Sequence, residues 1–128
     1  MNEHDMILIQ ELTASYKKQS VWYIELRDLV KKILSRLILS RGNMPELMIG
    51  LGKKKKLLDH IETERTRTSE SVLRWQGIKK NIVVCDETVA LNDVLETTGI
   101  AIKEFLDEEE KLKKYLEGIV KKETILQK

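Results

Sequence analysis

The sequence predicts an all-α fold, an elongated antiparallel three-helix coiled-coil bundle. Apolar residues recur at alternating spacings of three and four in three separate stretches, a period that puts one residue per turn on one face of a helix. Charged residues make up 34% of the chain, above the roughly 25% of a typical globular domain. The 128 residues include one proline, Pro45. Long solvated helices that share a narrow apolar seam account for all three observations.

Each apolar stripe marks the helix face that is expected to be buried. The first stripe consists of Leu12, Tyr16, Gln19, Tyr23, Leu26, Val30, Ile33 and Leu37. The second consists of Leu47, Leu51, Lys54, Leu58, Ile61, Arg65, Thr68, Val72 and Trp75. The third consists of Leu91, Leu95, Thr98, Ile102, Phe105, Glu109, Leu112, Leu116 and Ile119. Polar residues interrupt the second and third stripes, which predicts an imperfect seam that is able to open.

The first helix is expected over about 4–39, because no helix-breaking residue lies in this range. Asn2 or Asp5 could cap its N-terminus. The helix is expected to end in a turn at 40–43, where Gly42 suits the left-handed conformation that often follows a helix end.

The second helix is expected over about 45–79. Asn43 stands three residues before Glu46, which is the spacing of a capping box. Pro45 suits the first helical position, where its fixed φ is already helical. Gly50 and Gly52 each cost on the order of 1 kcal/mol relative to alanine inside a helix, so we expect a kink or short break at 50–52.

The third helix is expected over about 88–123. Gly77 is a candidate end for the second helix, and residues 78–85 are expected to be a connecting segment or a helical continuation, since a lone strand would have no partner. The whole chain, 1–128, is expected to form a single helical domain.

Candidate catalytic residues are few. His60 could accept a phosphoryl group, as an exposed histidine on a helical bundle does in phosphotransfer domains, but Glu64 lies one turn away and would repel phosphate. An ordinary surface histidine is the alternative. Cys85 is the only cysteine, and no glutamate is followed three residues later by histidine, so a multi-cysteine or di-metal carboxylate site is not expected. The sequence therefore predicts no catalytic residue, metal or cofactor.

The lysine run Lys53–Lys56 does not predict a nucleic-acid partner. Four consecutive residues spread around the whole circumference of a helix, and no interleaved aromatic residues are present for base stacking. The N-terminus lacks the basic lead of a secretory signal. No stretch approaches the roughly 20 apolar residues of a membrane span. We expect a cytoplasmic protein without a membrane-spanning helix.

The end of the third helix carries apolar residues on more than one line. A helix that is apolar over a broad face must bury that face against something. Packing on the other two helices and docking of a partner helix both remain open. The candidate partner-binding residues are Leu112, Tyr115, Leu116, Ile119 and Val120.

Three segments resemble the FlgN-type flagellar export chaperones. They are Gly42–Leu47, Lys54–Ile61 and Thr97–Ile102. The resemblance implies a cytoplasmic chaperone without ATPase activity that binds hook-associated (hook–filament junction) proteins before type III secretion. It also implies that the amphipathic end of the third helix contacts the client. An export-apparatus component and a second copy of the chain are further candidate partners.

The alternative function is a structural coiled-coil module for oligomerisation, or an adaptor, without a secreted client. Such a module would use the same apolar surface for tight self-association. A phosphotransfer role for His60 is the third hypothesis.

Overall fold

The structure is a computed structural model that describes residues 2–126, with side chains described as far as residue 122. The described residues form four α-helices: α1 (Glu3–Ser40), α2 (Met44–Arg67), α3 (Ser69–Ile78) and α4 (Asp86–Leu126). A short 3₁₀ turn (Lys79–Asn81) follows α3. The all-α prediction is confirmed. The count of three helices is not, because the predicted second helix is divided into α2 and α3.

Helix α1 is 38 residues long, which corresponds to roughly 57 Å. The Asn2 side chain caps it by accepting a hydrogen bond from the Asp5 backbone N–H at 2.8 Å. At the other end Arg41 and Gly42 both have positive φ, 57° and 93°. Gly42 N–H donates to the Leu37 carbonyl at 2.9 Å, so the left-handed turn satisfies a carbonyl in the last turn of the helix.

Helix α2 runs without interruption through Gly50 and Gly52, so the chain does not leave the helix at 50–52. Gly50 is buried against α1, where a Cβ atom would lie 2.6 Å from Ile33 Cγ1. This glycine therefore allows close contact between two helices instead of bending one. The N-terminus of α2 is capped as expected, because Asn43 Oδ1 accepts from the Glu46 N–H at 3.2 Å.

The break in the second predicted helix falls at Thr68, which has φ −99° and ψ 4°. Its N–H and its hydroxyl both donate to the Glu64 carbonyl, at 3.1 Å and 3.0 Å. Such side-chain bonds compete with the regular helical ladder. Val72 N–H still donates to the Thr68 carbonyl, so the interruption is local and α3 continues past Gly77.

Helix α4 begins two residues before the predicted start. The Cys85 N–H donates to Thr88 Oγ1 at 2.8 Å, and the Thr88 hydroxyl donates back to the Cys85 carbonyl at 2.9 Å. This local bonding stabilises the first turn. Gly99 and Gly118 do not interrupt the helix.

Helix α1 is the central element, against which α2, α3 and α4 all pack. Gly50 opposite Ile33 shows that α2 runs antiparallel to α1, whereas the Thr98–Tyr16 and Tyr115–Leu37 hydrogen bonds show that α4 runs parallel to it. Within the described residues, no Cα atom of α2 or α3 lies within 8 Å of a Cα atom of α4. We call α2 together with α3 one arm and α4 the other arm. Both arms pack on α1, and their backbones stay apart from each other.

The buried apolar residues form two clusters. The larger surrounds Leu26, Val30 and Leu37 of α1, and the smaller surrounds Leu8, Ile9 and Leu12. Buried polar side chains lie between the two clusters: Ser15, Gln19, Glu64, Thr68 and Thr98. The core is therefore divided by a polar layer, and the helix break at Thr68 lies in that layer.

Candidate functional site

The candidate site is an open apolar groove between α2 and α4, which we call the α2–α4 groove. Its volume is about 490 Å³. The groove is lined by Leu51, Lys54, Glu109, Leu112, Lys113, Leu116, Glu117, Val120 and Lys121. Aliphatic side chains from two arms thus face a shared space, with charged side chains around it.

Leu112, Leu116 and Val120 supply the α4 wall of the groove. They are spaced four residues apart, so they lie one turn above another on the same face of the helix. Leu112 is buried and anchors the wall in the core, Leu116 is half-buried, and Val120 is 60% exposed. Exposure thus increases towards the end of the helix.

The other two candidate residues, Tyr115 and Ile119, lie on a different flank of α4. The Tyr115 hydroxyl donates to the Leu37 carbonyl at 3.4 Å. Ile119 Cδ1 lies 3.7 Å from the position that a Cβ on Gly42 would take. These two side chains hold α4 against the end of α1 and its turn, and they do not line the groove.

An ion pair between Lys54 and Glu109 joins α2 to α4 in the groove. The two side chains are only 18% and 29% exposed. Both residues belong to the apolar stripes, which explains two of the polar positions in the predicted seam. Two long side chains thus bridge the space between α2 and α4, and the backbones of the two helices stay apart.

A second cavity follows the same seam towards the polar layer. Its volume is about 550 Å³, and it is lined by Tyr16, Gln19, Tyr23, Arg65, Thr68, Ser69, Val72, Leu73, Thr98 and Ile102. The α4 residues of the two cavities extend from Thr98 to Lys121, which corresponds to roughly 35 Å of helix. The seam is therefore apolar at one end and more polar at the other.

His60 lies outside this seam. Its ring stacks on Trp22, with the ring centroids 5.8 Å apart and an interplanar angle of 23°. A packing role in the α1–α2 contact accounts for this histidine. Within the part of the chain that the structure describes, no cluster of three or more His, Cys, Asp or Glu side chains could hold a metal ion.

The sequence did not identify the second wall of the groove. Leu51 was expected on a buried stripe, but it is half-buried and faces α4 across open space. Lys113, Glu117 and Lys121 were also not singled out. Their spacing of four residues places them beside the apolar line of α4, and that spacing is the signal that could have revealed them.

The fold and the groove define an all-α protein with an unfilled seam between two helical arms. No helix among the described residues is long and apolar enough to cross a membrane. No family model matches the chain, and neither a curated protein nor a solved structure matches it.

Proposed function

We propose that the chain is a FlgN-type export chaperone that binds hook–filament junction proteins in the cytoplasm before type III secretion. The proposed activity is binding and release, without a catalytic step or a cofactor. The resemblance of Gly42–Leu47 and Lys54–Ile61 to that family supports the proposal. In this view α2 and α3 act together as the second member of an elongated three-helix coiled-coil bundle.

The observation that carries the proposal is the unfilled α2–α4 groove. Packed helices lie with their axes about 8–10 Å apart. Two helices at that distance bring Cα atoms within 8 Å, yet α2 and α4 have none so close among the described residues. Both arms pack on α1, so a further helix placed between them would complete a four-helix arrangement.

An amphipathic client helix is the proposed occupant of the empty corner. Its apolar face would contact Leu51 on one wall and Leu112, Leu116 and Val120 on the other. The seam from Thr98 to Val120 is long enough for about six helical turns. A helix of that length would cover both cavities and complete the bundle.

Charged residues along the groove would set the register of the client helix. Lys113, Glu117 and Lys121 follow one another at four-residue spacing on α4. Charges at the rim of an interface chiefly affect partner choice and association rate. A client helix with acidic residues opposite the two lysines and a basic residue opposite Glu117 fits this pattern.

Calorimetric titration of a purified junction protein into the full chain tests the proposal. Val120→Lys places a charge on the groove wall and should weaken binding by at least tenfold. Ile100→Lys is the matched control, because Ile100 is 53% exposed on the same helix and lines neither cavity of the seam. The control should bind like the wild type.

A second copy of the chain is the competing occupant, as expected for a structural oligomerisation module. Light scattering across a dilution series separates the two. Concentration-dependent dimerisation that Val120→Lys abolishes, together with no heat of binding to a junction protein, would reject the chaperone proposal.

A further inference from the structure

The end of the α1–α2 hairpin exposes five large apolar side chains. We call this end the hairpin tip; it comprises the last turn of α1, the connecting turn and the first two turns of α2. Its exposed apolar residues are Ile38, Leu39, Met44, Met48 and Ile49. Leu39 is 85% exposed, and Met48 is 67% exposed. All five lie within roughly 8 Å of their helix ends, measured along the helix axes.

The chain around the hairpin tip is strongly basic. Residues 31–58 contain eight lysines and arginines and a single acidic residue, Glu46. One of the eight, Lys54, is paired with Glu109. The basic residues are Lys31, Lys32, Arg36, Arg41, Lys53, Lys54, Lys55 and Lys56. Apolar side chains at the tip are thus followed by cationic side chains farther along both helices.

The opposite end of the molecule shows that apolar exposure alone does not distinguish the tip. Val83 and Val84 are 69% and 81% exposed between the 3₁₀ turn and α4. The charged residues nearest to them in sequence are Lys79, Lys80, Asp86 and Glu87, and the first turn of α1 carries Glu3 and Asp5. The hairpin tip differs from this end because it combines exposed apolar residues with an excess of positive charge.

We propose that the hairpin tip docks end-on against an anionic membrane surface. Apolar side chains that protrude from a convex end can enter the boundary between headgroups and acyl chains, which lies about 5–10 Å deep. Lysine and arginine side chains farther along the helices then reach the anionic headgroups. Arg36 lies within roughly 6 Å of the end of α1 and Arg41 follows that end directly, whereas the other six basic residues lie roughly 12–18 Å from the helix ends.

A protein or nucleic-acid partner fits the tip less well. The cavity that borders it, lined in part by Ile49 and Gly50, has a volume of about 130 Å³, which is too small to receive a helix. A polyanion would use the charges but would leave the five apolar side chains in water. The tip adjoins the end of the α2–α4 groove, since Ile119 of α4 lies against Gly42. The five exposed apolar residues of the tip do not line the groove, so this proposal does not depend on the proposed function.

Vesicle flotation with the full chain tests the proposal. The chain should float with vesicles of equal parts phosphatidylcholine and phosphatidylserine, and weakly or not at all with phosphatidylcholine alone. Leu39→Gln combined with Met48→Gln should weaken binding roughly tenfold. Arg36→Gln combined with Arg41→Gln should weaken it roughly 30-fold, since each basic residue near the surface contributes about a fivefold factor.

Matched controls come from the opposite end. Val83→Gln combined with Val84→Gln, and Lys79→Gln combined with Lys80→Gln, should bind like the wild type, because these residues lie away from the tip. Circular dichroism checks that every variant is folded. Failure of the wild type to float with the anionic vesicles overturns the proposal. An equal loss of vesicle binding in the control variants also overturns it. Binding that needs Arg36 and Arg41 but not Leu39 and Met48 overturns it as well, and would indicate a soluble polyanion as the partner.

Discussion

Gly50 of α2 lies so close to Ile33 of α1 that a Cβ atom on the glycine would stand 2.6 Å from Ile33 Cγ1 and 2.8 Å from its Cδ1. Ile33 is itself buried at 6% exposure, so its side chain has little room to move away. Gly52 lies two residues, about half a turn, further along the same helix. A Cβ atom on Gly52 would have nothing within 4 Å. The two glycines therefore differ in tertiary environment although both are helical.

Alanine at these two positions should change stability in opposite directions. Gly50→Ala forces Ile33 or the helices apart and should lower the free energy of unfolding by about 1–3 kcal/mol, the usual cost of overpacking. Gly52→Ala should raise it by about 0.5–1 kcal/mol, because alanine is the better helix former at an open position. Urea unfolding followed by circular dichroism measures both. A stabilised Gly50→Ala would show that α1 and α2 are not in close contact there.

Acid should destabilise the fold partly through Glu64. This carboxylate is 7% exposed and accepts from the Arg67 Nε–H at 3.2 Å. The Arg67 hydrogen bonds hold the pKa of Glu64 below its ordinary value of 4.5, burial opposes that shift, and a hydrogen bond from Ser15 supports it. Since the native pKa is the lower one, the unfolded chain binds the proton more tightly. The stabilisation is therefore present above about pH 4.5 and is lost as the pH falls below it.

Comparison of Glu64→Gln with the wild type isolates this contribution. At neutral pH the free energy of unfolding of the variant should be about 1 kcal/mol lower than that of the wild type. This is the contribution of a hydrogen bond to a charged group, reduced because Arg67 is exposed. The gap should close as the pH is lowered through 4 towards 3. The exposed Glu62 provides the control, and Glu62→Gln should show no comparable gap at any pH. A gap that widens in acid would contradict the assignment.

Local signals in the sequence predicted the helix ends well. Asn2 and Asn43 cap α1 and α2 through hydrogen bonds to N–H groups three residues away, and such bonds depend on nearby sequence alone. The break predicted at 50–52 was misplaced because the role of Gly50 depends on a tertiary contact. Whether Gly50 bends a helix or lets it approach another depends on Ile33, which the sequence does not place beside it. At Thr68 the hydroxyl donates to the Glu64 carbonyl four residues back, a local bond that the apolar spacing did not reveal.

The candidate site was predicted in part, for similar reasons. The period of α4 placed Leu112, Leu116 and Val120 on one line, because a helix face follows directly from spacing. The opposing wall consists of Leu51 and Lys54 of the expected second stripe, but spacing alone could not show that these residues border a groove instead of a closed seam. Leu58 and Arg65 of that stripe are exposed, whereas Gly50 and Glu64 are buried. Leu47, Ile61 and Thr68 of the same stripe are buried as expected.

Truncation of α4 should separate the part that builds the core from the part that forms the open groove. Deletion from Gly118 onward removes Ile119 and Val120 and keeps the buried Leu112. The shortened chain should remain folded, with junction-protein binding weakened. Deletion from Lys111 onward also removes Leu112 and should lower the free energy of unfolding by at least 2–5 kcal/mol, about the cost of emptying a buried leucine site. Thermal melts and titrations of both chains give the comparison. Equal stability of the two would mean that Leu112 is not a core residue.

The Lys54–Glu109 ion pair joins the two walls of the groove. Loss of either partner should therefore lower the stability of the bundle. Glu109 Oε1 is buried, so Lys54→Met leaves a carboxylate without its partner and should cost about 1–2 kcal/mol in the free energy of unfolding. Glu109→Met should cost a similar amount. The double variant should be close to the wild type, because two apolar side chains replace the pair without leaving a buried charge. Lys55→Met is the control: Lys55 is an exposed neighbour of Lys54 on α2, so its replacement should cost under about 0.5 kcal/mol. A double-mutant cycle in urea measures the coupling, and additive losses would show that the two side chains do not interact across the groove.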